Sequence, residues 1–240
     1  MPRWFDGTLS RVEQITPTVR RFFIKHPDSV ALDFRPGQFV TFDFPMGEKR
    51  HERWRSYSIA SAPNADSDEF ELCIGRYPSG RASTYLFEQL NIGDSLRYKG
   101  PDGAFVLPDK PAKHIVLICT GTGVAPFRSM IRQIFAADDN QTSVHLIFGT
   151  RTVADILYRD EFEQLAAEQP NFRYDVALSR QSDWGGHRGY VHQVYEKHYG
   201  KHQEGVHFYL CGWKKMIDEA AEKLQLLGYS PRQISFELYG

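Results

Sequence analysis

Residues 114–126 read His-Ile-Val-Leu-Ile-Cys-Thr-Gly-Thr-Gly-Val-Ala-Pro. Ile115 to Cys119 is an unbroken apolar run of strand length, as expected of a strand buried on both faces of a parallel sheet. Thr120, Gly121, Thr122 and Gly123 then form a loop of small residues. Pro126 suits the first turn of a helix, where its missing N–H is not needed. A strand, a small-residue loop and a helix start together let an anion approach unpartnered amides. Val124, Ala125 and Pro126 depart from the G-x-G-x-x-G spacing. The loop alone is therefore read equally well as a tight turn.

Outward from this stretch, two halves of different character emerge. Downstream, the helix runs to about Ala137, and strands at Ser143–Phe148, Arg173–Leu178, Val206–Cys211 and Gln233–Leu238 follow. Helices at Asp160–Glu168, Val191–His198 and Lys214–Leu227 separate them. This alternation predicts a doubly wound parallel α/β domain. Upstream, short strands fall at Trp4–Ile15, Thr18–His26, Gln38–Phe44, Tyr57–Ala60, Phe70–Gly75 and Ser95–Lys99, with one helix at Ser83–Leu90. They predict a small β-barrel or sandwich. Pro108 and Pro111 flank a polar linker, so the domains are placed at 1–109 and 113–240.

The 240 residues are 41% hydrophobic and 25% charged, with a net charge of −1. Enough apolar surface is present to build cores, which excludes disorder for most of the chain. The balanced charge argues against a nucleic-acid partner. No run approaches the ~20 apolar residues of a membrane span, and the first residues carry no signal-peptide pattern. Cys73, Cys119 and Cys211 have neither zinc-like nor iron–sulfur-like spacing, so no metal site is expected. An odd, low cysteine count suits a reducing, cytoplasmic setting.

Other stretches carry candidate chemistry. In Arg53–Ser61, strand alternation puts Arg55 and Tyr57 on one face and Ser56 and Ser58 on the other. Arg55 can grip a phosphate and Tyr57 can stack on a flat ring, although a half-buried edge strand explains both equally. Gly80-Arg81-Ala82-Ser83-Thr84 opens a helix with a hydroxyl-rich first turn, read either as an anion site or as an ordinary cap. The strand ending Gly149-Thr150-Arg151 lacks the acidic residue that would hold a ribose 2′-hydroxyl. Ser179-Arg180 ends the next strand, where a hydroxyl and a guanidinium can bind a 2′-phosphate.

Five motifs occur in a fixed order: Arg55-x-Tyr57-Ser58, Gly80-x-x-Ser83, Gly100-Pro101-Asp102-Gly103-Ala104-Phe105, Gly121-Thr122-Gly123-x-Ala125-Pro126, and Cys211-Gly212 with Met216. Together they resemble the ferredoxin–NADP reductase family of flavoproteins, over nearly the whole chain. The resemblance implies an antiparallel, Greek-key-like β-barrel that holds FAD and a doubly wound parallel α/β domain that holds the pyridine nucleotide. It assigns Arg55 to the FAD pyrophosphate, Tyr57 to the isoalloxazine ring and Ser58, beside Ser56, to the neighbourhood of N5. Gly80, Ala82, Ser83 and Thr84 would cradle the pyrophosphate. Thr120, Gly121, Thr122 and Gly123 would receive the nicotinamide nucleotide, with Cys211 and Gly212 beside the nicotinamide. Phe236-Glu237-Leu238-Tyr239-Gly240 resembles the Glu-x-Tyr ending of plastid-type members. There the Tyr covers the flavin face and the Glu lies on a candidate proton path; Gly240 is one residue more than that pattern has.

Ser179-Arg180 resembles the pair that contacts the NADPH 2′-phosphate, and Arg188-Gly189-Tyr190 resembles the stretch whose Tyr stacks on adenine. NADPH is therefore expected in preference to NADH, while Arg151 occurs in members of both preferences. The implied activity passes electrons between NADPH and a one-electron carrier such as ferredoxin or flavodoxin. The loop Glu48–Arg53 offers cations that could steer an acidic carrier. A flavin reductase, or a separate-chain oxygenase reductase without an iron–sulfur module, is the alternative. A noncatalytic redox-sensing subunit is a more remote one.

Overall fold

The structure, a computed structural model, describes residues 3–136 and 142–239. It divides into two compact units: Met1–Val106 with Ala125–Gln133, and Leu107–Val124 with Ile134–Gly240. The segment 125–133, which follows the small-residue loop in the chain, thus counts with the first unit.

The first unit contains β1 (Trp4–Thr16), β2 (Val19–Lys25), β3 (Phe39–Asp43), α1 (Arg50–Arg53), β4 (Trp54–Ser58), β5 (Glu69–Gly75), α2 (Arg81–Thr84) and β6 (Ser95–Asp102). The six strands form one antiparallel sheet in the order β4-β3-β6-β1-β2-β5. Its ends meet where Ile59 bridges Leu72 and the Ala60 N–H donates to the Glu71 carbonyl at 2.7 Å. The sheet closes on itself, which removes its exposed edges. Inward residues of alternating strands, including Phe22, Ile24, Val40, Phe42, Leu72 and Tyr98, fill its core.

For two elements the difference from the expected bounds has a clear local cause. The strand expected at Tyr57–Ala60 runs from Trp54 to Ser58, because Ile59 leaves the β3 ladder to pair with β5. The helix expected at Ser83–Leu90 begins at Arg81, and its second turn, Tyr85–Gln89, is wider than α. There the Leu90 N–H donates to the Tyr85 carbonyl, five residues back, at 3.0 Å. Such wide turns occur often near functional sites.

The second unit contains β7 (His114–Thr120), β8 (Ser143–Thr150), α4 (Arg159–Glu168), β9 (Phe172–Leu178), β10 (His187–Arg188), α5 (Val191–Tyr199), β11 (Val206–Trp213), α6 (Lys214–Leu226) and β12 (Ile234–Tyr239). The helix α3 (Val124–Ala136) follows β7; the residue expected to end it, Ala137, lies outside the described residues. All six strands are parallel, in the order β10-β9-β8-β7-β11-β12. β7 to β10 are laid down to one side and β11 and β12 to the other. The order therefore reverses between β7 and β11, and ligand crevices open at the carboxyl ends of strands at such points. Val116, Ile118, Phe208 and Leu210 pack with α5 and α6 residues such as Val194 and Ile217. Among the described residues no helix is long and apolar enough to cross a membrane.

Candidate functional site

In the first unit, the chain before β4 sets the position of Arg55. Within residues 48–53, expected as a loop, Arg50–Arg53 form the single turn α1. The Glu52 carboxylate accepts the N–H groups of Glu48 and Lys49 at 3.1 and 3.0 Å, which closes it. The Arg55 Nη1 then donates to the carbonyls of His51 and Trp54 at 2.8 and 2.7 Å. These bonds hold a partly exposed guanidinium at the start of the strand. Tyr57 is half-buried against Phe42 and Phe44, with ring centroids 6.1 and 6.3 Å away. Burial holds its phenol well above the usual range, with Arg55 opposing weakly, so it stays neutral. Ser56 shares a 2.9 Å hydroxyl bond with Thr41 across the strand pair. Ser58 is buried where β4 ends.

Gly80 caps α2. The Ser83 hydroxyl accepts the Tyr77 N–H at 3.0 Å, and the carbonyls of Tyr77 and Gly80 both lie 2.9 Å from it. It therefore ties the loop down and is buried doing so. The first backbone amides of the helix, at Ala82 and Ser83, have no partner within it and could donate to an anion. A guanidinium, helix-start amides and a neutral aromatic ring are a donor set that fits a dinucleotide carrying a flat ring system.

In the second unit, the loop Gly121–Gly123 meets the end of β11. A Cβ on Gly123 would lie 2.5 Å from the Cys211 carbonyl oxygen and 3.0 Å from the Gly212 nitrogen. Gly212 has φ +141, and a Cβ there would lie 2.3 Å from Thr120 Oγ1. The same Thr120 hydroxyl accepts the Trp213 N–H at 3.4 Å. Backbone thus packs on backbone at the switch point between β7 and β11.

Cys211 lies fully buried beside this contact. Its register partners are Cys119 on β7 and Glu237 on β12, and Tyr239 pairs with Trp213 two positions on. Burial pushes the Cys211 thiol far up; the Glu237 charge and Cys119 add to this, while a hydrogen bond from Tyr239 opposes it. Cys211 is therefore no nucleophile at neutral pH. All three cysteines are reduced and buried. In the native protein, thiol-specific reagents will label Cys119 and Cys211 at least roughly tenfold more slowly than in denaturant. The slow rate will keep rising about tenfold per pH unit through pH 8.5, where an ordinary thiol near pKa 8.5 begins to level off. Mass spectrometry of the labelled peptides reads this, and fast native labelling of Cys211 would contradict it.

At the far end of the sheet, β10 pairs with β9 through His187–Ala177 and Arg188–Leu178. This brings Arg188 alongside Ser179 and Arg180. The Ser179 hydroxyl donates to the Thr150 carbonyl at 3.3 Å, and the Arg188 Nη1 to the Ser182 carbonyl at 3.0 Å. Arg151 is committed to Asp155 at 2.7 Å. Arg180 is exposed, and Tyr190 is 70% exposed, as a ring awaiting a stacking partner would be.

Several features were beyond sequence reasoning. The two-residue β10 has no apolar run to signal it. Cys119 and Cys211, 92 positions apart in sequence, become neighbours only through the sheet order. Gly240, which follows Tyr239, lies outside the described residues.

Comparison with known proteins identifies the two domains. An oxidoreductase FAD-binding domain family matches residues 6–107 and an oxidoreductase NAD-binding domain family matches residues 117–222. A ferredoxin–NADP reductase B of Sorangium cellulosum is 36% identical, over 98% of this chain and 97% of that protein. The phenol hydroxylase P5 protein of Acinetobacter pittii is 31% identical, and there the match spans 98% of this chain and 65% of the relative. Among solved structures, a cytochrome P450 reductase from Amycolatopsis superposes with a TM-score of 0.87 at 29% identity, over 98% of this chain and 69% of that one. A ferredoxin NADP+ reductase from Neisseria gonorrhoeae, solved with FAD and NADP, has the same fold, with a TM-score of 0.82 at 24% identity and 99% of both chains covered.

Proposed function

The chain belongs to the ferredoxin–NADP reductase family of FAD-dependent NAD(P)H oxidoreductases, and from that premise we propose that it exchanges electrons between NADPH and a one-electron protein carrier such as a ferredoxin or flavodoxin. The match to a ferredoxin–NADP reductase along 97% of that relative's length supports a carrier of this kind. The observation that carries the NADPH assignment is the cluster at the β9–β10 edge. Register sets Arg188 opposite Leu178, next to Ser179 and Arg180 in the chain, and charge-assisted bonds from two guanidinium groups suit a 2′-phosphate.

When bound, FAD supplies the chemistry, taking up two electrons as a hydride and releasing them singly. The residues of the chain bind and orient. Arg55 and the amides of Ala82 and Ser83, with Gly80 and Thr84 shaping the loop, hold the pyrophosphate. Tyr57 offers a neutral ring to the flavin, and Ser58, next to Ser56, offers a hydroxyl to its polar edge. Thr120, Gly121, Thr122 and Gly123 take the nicotinamide nucleotide. Cys211 and Gly212 limit how closely the ring can approach, and positioning of this kind accounts for much of the barrier reduction in such reactions. Tyr239, hydrogen-bonded to Cys211, must move aside for the nicotinamide, while Glu237, opposite Cys211 in the sheet, is the group nearest to hand for a proton.

The acidic carrier is drawn to the outer face of β1, β4 and β6. Arg50 and Lys99 lie over the Trp54 ring at 4.4 and 4.7 Å, and Arg97 lies over Trp4 at 5.2 Å. Arg53 is neutralised by Asp43 at 2.6 Å. A cationic, aromatic face raises encounter rates with an acidic partner. Three buried thiols suit a cytoplasmic setting.

Arg180→Ala separates these readings. It will lower kcat/KM for NADPH roughly 10- to 100-fold, the worth of one charge-assisted bond, and leave kcat/KM for NADH within about twofold. Steady-state reduction of an artificial one-electron acceptor with each nucleotide reads both values. Equal effects on the two nucleotides would remove the 2′-phosphate assignment. The relatives among oxygenase components favour a second reading, a reductase for an oxygenase; turnover with no ferredoxin or flavodoxin would support it.

A further inference from the structure

We propose that Asp175, His187 and His198 form a binding site for a divalent transition-metal ion of the zinc class. The three residues come from β9, β10 and α5, so no sequence spacing signals them. Their ligand atoms all lie within 4.8 Å of one another. His187 Nε2 is 3.3 Å from Asp175 Oδ1, and His198 Nε2 is 3.8 Å from Asp175 Oδ2. Ligand atoms at tetrahedral corners around zinc, with bonds of 2.0–2.1 Å, stand about 3.3 Å apart. The cluster is therefore near the size of a filled site and needs only small side-chain rotations. Imidazole and carboxylate ligands suit zinc, nickel and cobalt.

The surroundings hold the carboxylate ready. The Tyr199 hydroxyl lies 2.8 Å from His145 Nδ1, and His145 Nε2 lies 2.9 Å from Asp175 Oδ2. With Tyr199 donating to Nδ1 and Nε2–H donating to Asp175, a neutral His145 fixes the carboxylate and leaves Oδ1 toward His187. Oriented ligands of this kind are characteristic of metal sites. Burial alone would raise the Asp175 carboxyl, but hydrogen bonds from His145 and Arg173 outweigh this and keep it ionised.

Arg173 is the competing cation. Its Nε lies 2.7 Å from Asp175 Oδ2, and its Nη2 lies 2.8 Å from His198 Nε2. Arg173 alone would neutralise Asp175, so ion pairing does not account for three imidazoles converging on one carboxylate. The Arg173 side chain is 49% exposed and can swing into solvent when a divalent ion replaces it. A metal bound here ties the two-residue β10 to β9 and α5. His187 immediately precedes Arg188, so the ion would also steady the strand that carries that guanidinium.

The test uses the full chain without an affinity tag, stripped with chelator and titrated with Co²⁺ in the absence of nucleotide. One equivalent will bind with the strong visible absorption of a four-coordinate site, and Zn²⁺ will displace it. His187→Ala and His198→Ala will each weaken binding roughly 100-fold or more, while Arg173→Met will tighten it by removing the rival cation. Binding no tighter than that of a His187→Ala/His198→Ala double variant, a weak six-coordinate spectrum, or loss of binding in Arg173→Met would overturn the site. None of these readouts depends on NADPH or on an electron carrier, so the proposal stands or falls apart from the proposed function.

Discussion

Replacing Arg128 with alanine will destabilise the first unit by about 3 kcal/mol, a drop in Tm of roughly 10–15 °C. Arg128 is 1% exposed. Its Nη1 donates to Glu71 Oε2 at 2.9 Å and to the Ala60 carbonyl at 3.0 Å. Beside it, the Ser129 hydroxyl donates to the Ser61 carbonyl at 2.6 Å. Glu71 is itself 3% exposed and also takes a bidentate pair from Arg21, at 2.8 and 2.7 Å. Breaking a buried pair typically costs 3–5 kcal/mol, because the remaining charge stays desolvated. Arg21 keeps hold of Glu71, which places the expected cost at the lower end. The loss also frees Ala60, next to the bridge that closes the barrel, so retention of FAD will fall with stability. Calorimetry of the variant and of Arg128→Met with Glu71→Leu reads the effect. The double variant will recover part of the loss, since removing both charges removes the desolvation cost. A shift below about 3 °C in the single variant would show that the pair is not structural.

Gly123→Ala will reduce the rate of flavin reduction by NADPH about 100-fold and leave FAD content unchanged. The new Cβ would sit 2.5 Å from the Cys211 oxygen and 2.8 Å from its carbonyl carbon. Both are backbone atoms of a central strand and cannot rotate away. Relief demands that β7 and β11 part, at a cost of roughly 1–3 kcal/mol from overpacking. Parting also displaces Cys211 and Gly212, which set the nucleotide's approach, and a misplacement of about 1 Å can cost 100-fold in rate. Gly123 lies in the second unit, so the barrel and its flavin donors are untouched. Stopped-flow absorbance gives the rate, and the flavin spectrum of the purified variant gives the content. An unchanged rate would mean that the close contact has no part in nucleotide binding.

How much of this was legible in the sequence follows from where each signal lies. The strand Ile115–Cys119 and the loop after it were plain, because an unbroken apolar run and two glycines are local features. The helix at Arg81 was placed two residues late, since Gly80 and the bond from Ser83 to Tyr77 set its start rather than apolar spacing. Strand β4 was misplaced for a similar reason: Ile59 reads as a continuation of Tyr57, yet it is drawn to Leu72 on a distant strand. The residues at the candidate sites could be named because motifs mark them. Their roles could be refined only with coordinates, as when Ser83 proved to be tied into its own loop. The buried Arg128–Glu71 pair and the three histidines around Asp175 left no trace in the sequence, because their partners lie 57 residues apart in one case and on four separate elements in the other.

The proposed function requires that this chain bind FAD and reduce it with NADPH. Anaerobic titration of the purified protein with NADPH, followed in the flavin absorption bands, puts this to the test. The bands will bleach at near-stoichiometric NADPH, with NADH needed in large excess. A bound flavin that neither nucleotide bleaches, or that NADH alone bleaches, would contradict it.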